Sequence, residues 1–122
     1  PSRTAASSVE RIVDTYPAER QQQIRVQLAD SLRAVLSQRL LPRADGGGRV
    51  VATEILRGTH AVANLIREGK TAQLVSVIQS SRQDGMQSME RSLAELVRGG
   101  LVRLETARSA ANDPSSLTAA LR

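Results

Sequence analysis

A chain of 122 residues is the size of one domain, long enough for a modest core and too short for a two-domain enzyme. It has no cysteine and a single histidine, His60, which excludes a disulfide framework and a Cys/His zinc site. The net charge of +5 is almost wholly arginine and evenly spread, nine bases to six acids up to Arg57 and eight to six from Arg67 onward, so no basic block emerges.

Residues 1–16 read as a short helix. Ser7 with Glu10 has capping-box spacing, Thr4 is an equally good cap, and Val9, Ile12, Val13 and Tyr16 make an apolar stripe. Pro17 closes this helix and opens a longer one, because its missing N–H and fixed φ suit a first helical turn. There Ile24, Leu28, Leu32 and Val35 recur at helical spacing, with Gln23, Gln27, Asp30, Ala34 and Ser37 opposite, so one face is expected to be buried. From about Gln38 the pattern changes to QRLLPR, ADGGG and RVVATEIL, two β-compatible segments around residues that tolerate positive φ. This predicts a hairpin turning at Asp45, Gly46, Gly47 and Gly48. A phosphate cradle would need a helix directly behind the glycines, and a strand-like segment follows instead.

Beyond Gly58 the chain predicts short helices. Thr59 caps one carrying Val62, Leu65 and Ile66 and ended by Gly69. Leu74, Val77 and Ile78 mark a second, ending at Gly85. Met86, Met89, Leu93, Leu96 and Val97 mark a third, closed by Gly99 and Gly100. A fourth spans 104–111, and Asp113 with Pro114 starts a short terminal helix. The fold class is therefore mostly α with a small β-hairpin, residues 1–58 forming a helix–helix–hairpin unit and 59–122 a helical array. Such a hairpin buries little alone, so the first part reads as the end of a larger sheet-containing fold, with Arg39, Leu41 and Val51 on strands that pair with further sheet.

Little here carries chemistry. His60 sits at a predicted first helical turn, where an exposed imidazole is expected. The acidic residues occur singly beside helical partners, as Asp30 does beside Arg33, and no G-x-x-x-x-G-K-[ST] occurs. With Tyr16 as the only aromatic residue there is no stacking platform for nucleic-acid bases, and no apolar run is long enough to span a bilayer. No catalytic, cofactor-binding or metal-binding residue is assigned within the chain.

Four stretches in the same order resemble one family: VERIVDTYP (9–17), IRVQLADSLRAVLSQRLLPR (24–43), ANLIREGK (63–70) and VIQSSRQDGMQSMERSLAELVRGGL (77–101). They look like the C-terminal part of the type IV pilus retraction ATPases of twitching motility, within the secretion ATPase superfamily. The resemblance implies that residues 1–58 are the tail of a RecA-like α/β ATPase domain and 59–122 the family's C-terminal helical region. Walker A and B motifs, the Asp box and the His box would lie upstream of Pro1. It further implies a hexameric ring, cytoplasmic and peripheral at the inner membrane beneath the pilus. This ring would use ATP and Mg and work with pilus platform proteins, without nucleic acid and without membrane insertion. This chain would then serve subunit packing and force transmission and be inactive as an ATPase by itself.

The family's retraction motif AIRNLIRE maps onto Ala61, Val62, Ala63, Asn64, Leu65, Ile66, Arg67 and Glu68. Val62 stands for Ile, a small volume change. Ala63 stands for Arg and removes a charge with its donors, a departure that also fits an accessory paralogue. Leu65 and Ile66 are expected to anchor the helix, Arg67 and Glu68 to project toward a neighbouring element, and Ala63 to lie near the polar side. Two alternatives stand beside this reading: an assembly or secretion ATPase paralogue, and a basic helical nucleic-acid-binding module with a wing at 43–49.

Overall fold

The computed structural model describes residues 4–122. The first helix, α1 (Ala5–Asp14), is capped by Thr4, whose hydroxyl accepts from the Ser7 N–H at 2.9 Å while the Ser7 hydroxyl accepts from the Thr4 N–H at 2.9 Å. Of the two candidate caps it is Thr4 that acts, and Ser7 rather than Glu10 completes the box; Glu10 instead accepts from the Thr71 hydroxyl. Val9 and Val13 are buried, whereas Ile12 and Tyr16 at the edge of the stripe are exposed. Residues 1–3 of the expected helix lie outside the described residues.

The second helix, α2 (Ala18–Ser31), begins behind Pro17 but is shorter than its apolar spacing predicts. Ala34, Val35 and Ser37 lie on a strand, β1 (Ala34–Pro42), which pairs antiparallel with β2 (Arg49–Arg57) from Ala34 opposite Arg57 to Pro42 opposite Arg49. Leu32 is already extended, with φ −67° and ψ 126°. Ladder bonds to β2 outweigh the helical preference of this segment, because each residue gains a partner across the hairpin. At the base of the hairpin the Gly58 N–H donates to the Arg33 carbonyl at 2.8 Å, and a Cβ on Gly58 would stand 2.0 Å from the Leu32 carbonyl oxygen. Only glycine permits that approach.

The pleat gives the hairpin two unlike faces. Val35, Ser37, Arg39 and Leu41 with Val50, Ala52, Glu54 and Leu56 share the inner face, while Leu36, Leu40 and Val51 are exposed on the outer one. The Leu41 side chain is buried with Ala52, Met89 and Leu93.

Past Gly58, Thr59 caps α3 (His60–Arg67) by accepting from the Val62 N–H at 3.3 Å. A 3₁₀ turn at Thr71–Gln73 leads into α4 (Leu74–Ser80), which stops short of Gly85 because a separate 3₁₀ turn, Arg82–Asp84, intervenes. Met86 is not helical either. Its neighbour Gln87 exchanges backbone bonds with Ile55, at 2.8 and 3.1 Å, so α5 (Met89–Arg98) starts only behind its cap Ser88. The chain ends in α6 (Leu104–Ala110) and α7 (Pro114–Leu121), the latter capped by Asp113 as its sequence predicts.

Two apolar clusters result. One gathers Val9, Ala29, Leu56, Val62, Ile66, Leu74 and Met86, the other Leu41, Ala52, Met89, Leu93, Ala107 and Leu117, and both draw on residues from either side of Gly58. On the inner sheet face the Leu56 end and the Leu41 end are separated by a polar layer. There the buried Glu54 carboxylate accepts from the Ala5 N–H at 2.6 Å, and the Arg39 guanidinium bonds the Asn112 amide oxygen. Buried Glu90 accepts from the Asn112 and Asp113 N–H groups at 2.7 and 3.1 Å.

Burial holds the Glu54 carboxyl above its ordinary range against the opposing pull of the Ala5 N–H; Glu90 adds to the rise and Arg39 opposes it. A carboxyl with a raised folded pKa binds more protons folded than unfolded. Its contribution to stability is thus fully present below the unfolded value of 4.5 and is lost as pH rises through the folded one. Glu54→Gln keeps an acceptor for Ala5 without the buried charge. Urea denaturation between about pH 4 and 7 is expected to show the variant gaining on the parent chain as pH rises. A stability difference that stays constant across that range contradicts the assignment.

Candidate functional site at the junction of α2 and α3

The residues of the candidate motif occupy α3 from Ala61 onward and its C-terminal cap, Glu68. Val62 and Ile66, one helical turn apart, are fully buried, whereas Leu65 is half-buried at the edge of the same cluster. The anchoring pair is therefore Val62 and Ile66, not Leu65 and Ile66, because those two enter the cluster that also takes Val9, Ala29, Leu56 and Leu74, while Leu65 stays at its edge. Ala63 is also partly buried and packs against that cluster rather than lying on the polar side. Ala61 and Asn64 are exposed, as is His60 at the first turn.

The neighbouring element that Arg67 meets is α2 of its own chain. Its Nη2 lies 3.2 Å from the Asp30 Oδ1, its Nη1 donates to the Asn64 Oδ1 at 2.8 Å, and its carbonyl accepts from the Gln22 Nε2 at 3.0 Å. Glu68 pairs with Lys70 at 3.1 Å. Beside these groups, α2, the hairpin base and α3 enclose a cleft of about 380 Å³ lined by Asp30, Arg33, Gly58, His60, Ala63 and Arg67 among others. Sequence reasoning missed Gln22 and Asp30 as parts of this site, and set Asp30 beside Arg33 instead. A signal was there: the string AERQQQIRVQLADS is mostly polar, more than a helix needs for one solvated face.

The glycine turn has a different character. Asp45 accepts from the Gly47 N–H at 2.8 Å and from the Arg43 Nε and Nη2 at 3.2 and 3.1 Å. The Arg43 hydrogen bond, then that of Gly47, holds the Asp45 carboxyl below its usual range. The turn thus already engages a carboxylate of its own, and a strand follows it, so these residues do not fit the phosphates of a nucleotide. The same Arg43–Asp45 pair removes a free cation from the supposed wing at 43–49. Among the described residues no three His, Asp or Glu side chains converge as a metal-binding group, and no helix is long and apolar enough to cross a membrane.

A two-stranded hairpin covered on one face by short helices recurs in a solved pilus motor. The crystal structure of the pilus retraction motor PilT with bound ADP matches 97% of this chain and 32% of that chain, with a TM-score of 0.84 and 42% sequence identity. No protein-family model matches. The twitching motility protein of Neisseria gonorrhoeae is 48% identical over 114 residues, covering 93% of this chain and 30% of that protein. The type IV pilus retraction ATPase PilT of Pseudomonas aeruginosa is 45% identical over 113 residues, covering 93% of this chain and 33% of its own length. The chain is a homologue of the type IV pilus retraction ATPases across nearly all of its length, and it spans about a third of the length of the curated relatives it matches.

Proposed function

We propose that this chain works as part of a type IV pilus retraction motor, where it packs subunits together and transmits force rather than turning over nucleotide. The observation that carries the reading is the 48% identity to a twitching motility protein across 93% of the chain; the retraction-motor fold at a TM-score of 0.84 supports it. In this reading residues 1–58 close a RecA-like ATPase domain and 59–122 form the helical region behind it. The motor is a hexameric ring in the cytoplasm at the inner-membrane base of the pilus, acting on platform proteins. ATP and Mg are held by segments of the motor that this chain does not span.

The physical case for force transmission is the joint between α2 and α3. α3 is locked by the burial of Val62 and Ile66, and Ala29 of α2 is buried in the same cluster. A displacement of either helix is therefore carried to the other with little slack. Two measurements test the proposal. Calorimetry of the isolated chain with Mg·ATP is expected to give no binding in the micromolar range, and micromolar affinity would overturn the division of labour. A full-length PilT in which this chain replaces the matching segment is expected to twitch; loss of twitching with ATPase activity and the ring intact would overturn the role in force transmission.

A further inference from the structure

Arg67 is fixed at both ends, through its carbonyl by Gln22 and through its guanidinium by Asn64 and Asp30. The pair with Asp30 bridges 37 positions of sequence and is exposed, with side-chain accessibilities of 40% and 66%. A pair that open is screened by water and adds little to stability. What it does do is hold a planar five-donor fork in one place, with only two of the five donors engaged by Asp30 and Asn64. That place is the rim of the α2–α3 cleft, whose other basic lining groups, Arg33 and His60, have no side-chain partner among the described residues. Asp30 is the one carboxylate lining the cleft and is already engaged. The cleft therefore offers basic donors to a carboxylate from outside the chain.

We propose that Asp30 is a positioning residue of the retraction motif: it sets the Arg67 guanidinium at the mouth of the α2–α3 cleft, where Arg67 receives an acidic side chain from a neighbouring subunit of the motor. This rests on the motor reading above. It also assigns α2, which lies outside the motif string, to the same working surface as α3.

The test uses the full-length motor carrying this chain, with Arg67→Ala, Asp30→Ala, Asp30→Asn, the Asp30→Ala/Arg67→Ala double variant and the swap Asp30→Arg/Arg67→Asp. Retraction, ATPase KM and kcat, and thermal melting are measured for each. Arg67→Ala and Asp30→Ala are expected to lower retraction by a similar factor, on the order of tenfold. The double variant should be no worse than either, and KM for ATP should not move, since the nucleotide is held elsewhere. Asp30→Asn keeps an acceptor oxygen and should retain more activity than Asp30→Ala. The swap restores an ion pair but leaves a carboxylate at position 67, so it is expected to melt normally and remain defective. If the swap restores retraction, the pair is a structural tie and the proposal is overturned. If Arg67→Ala is defective while Asp30→Ala is fully active, the positioning role falls and the motor reading stands. If Arg67→Ala itself retracts normally, the functional reading of the motif falls and takes this inference with it.

Discussion

Gly58→Ala is expected to open the base of the hairpin and destabilise the whole chain. The added Cβ would stand 2.0 Å from the Leu32 carbonyl oxygen and 2.9 Å from its carbonyl carbon, well inside contact distance, and both atoms belong to backbone that has no rotamer to change. Relief requires Leu32 and Arg33 to move away, which breaks the bond from the Gly58 N–H to the Arg33 carbonyl and pulls α2 from the start of α3. Overpacking against mobile side chains costs about 1–3 kcal/mol, and a clash with fixed backbone belongs at or beyond the top of that range. A domain of this size has roughly 5–15 kcal/mol in total, so much of its margin is spent. Urea denaturation of the variant should show a loss of about 3 kcal/mol or more. A midpoint unchanged from that of the parent chain would mean that the close approach is not a feature of the folded protein. Gly58 also lines the α2–α3 cleft, so the same variant should impair the motor even where enough of it stays folded.

Features fixed by neighbours in sequence were legible before the structure. The turn at Asp45 and Gly46, the Thr59 and Asp113 caps, and the left-handed Gly69 all depend on a few adjacent residues, and all are where the sequence places them. Features fixed by distant partners were not. The spacing of Leu28, Leu32 and Val35 imitates one helical face, yet Val35 reaches the first apolar cluster from β1. Two elements that bury residues in one core can produce the periodicity of a single helix. Met86 and Met89 likewise stand three apart and are both buried, but in different clusters, because the backbone pairing of Gln87 with Ile55 draws the intervening chain out of the helix. The site divides in the same way. Its helix and cap could be read from the string, but the pairing of Arg67 with Asp30 depends on how two helices cross. The side of α3 that is buried, and so the choice between Leu65 and Val62 as anchor, depends on how α1, α2, β2 and α4 close around it.

That choice sets the second large effect. Ile66 is fully buried in the cluster formed with Val9, Ala29, Leu56 and Leu74, so Ile66→Ala leaves a cavity walled by four separate elements and is expected to cost about 2–5 kcal/mol. Leu65 is half-exposed, loses less contact and can be refilled by water, so Leu65→Ala should fall below that range. Arg67→Ala removes an exposed pair and should cost under about 1 kcal/mol. Denaturation of the isolated chain therefore predicts the order Ile66, Leu65, Arg67, while retraction by the full-length motor predicts a different one. Ile66→Ala should fail because the helix is no longer held, and Arg67→Ala should fail with the helix in place. If Leu65→Ala costs as much as Ile66→Ala, then α3 is packed on the face first expected from the sequence and Leu65 belongs to the anchor. If Arg67→Ala lowers stability as far as Ile66→Ala does, its two side-chain hydrogen bonds hold the fold rather than the working surface, and the separation of anchor from contact within the motif fails.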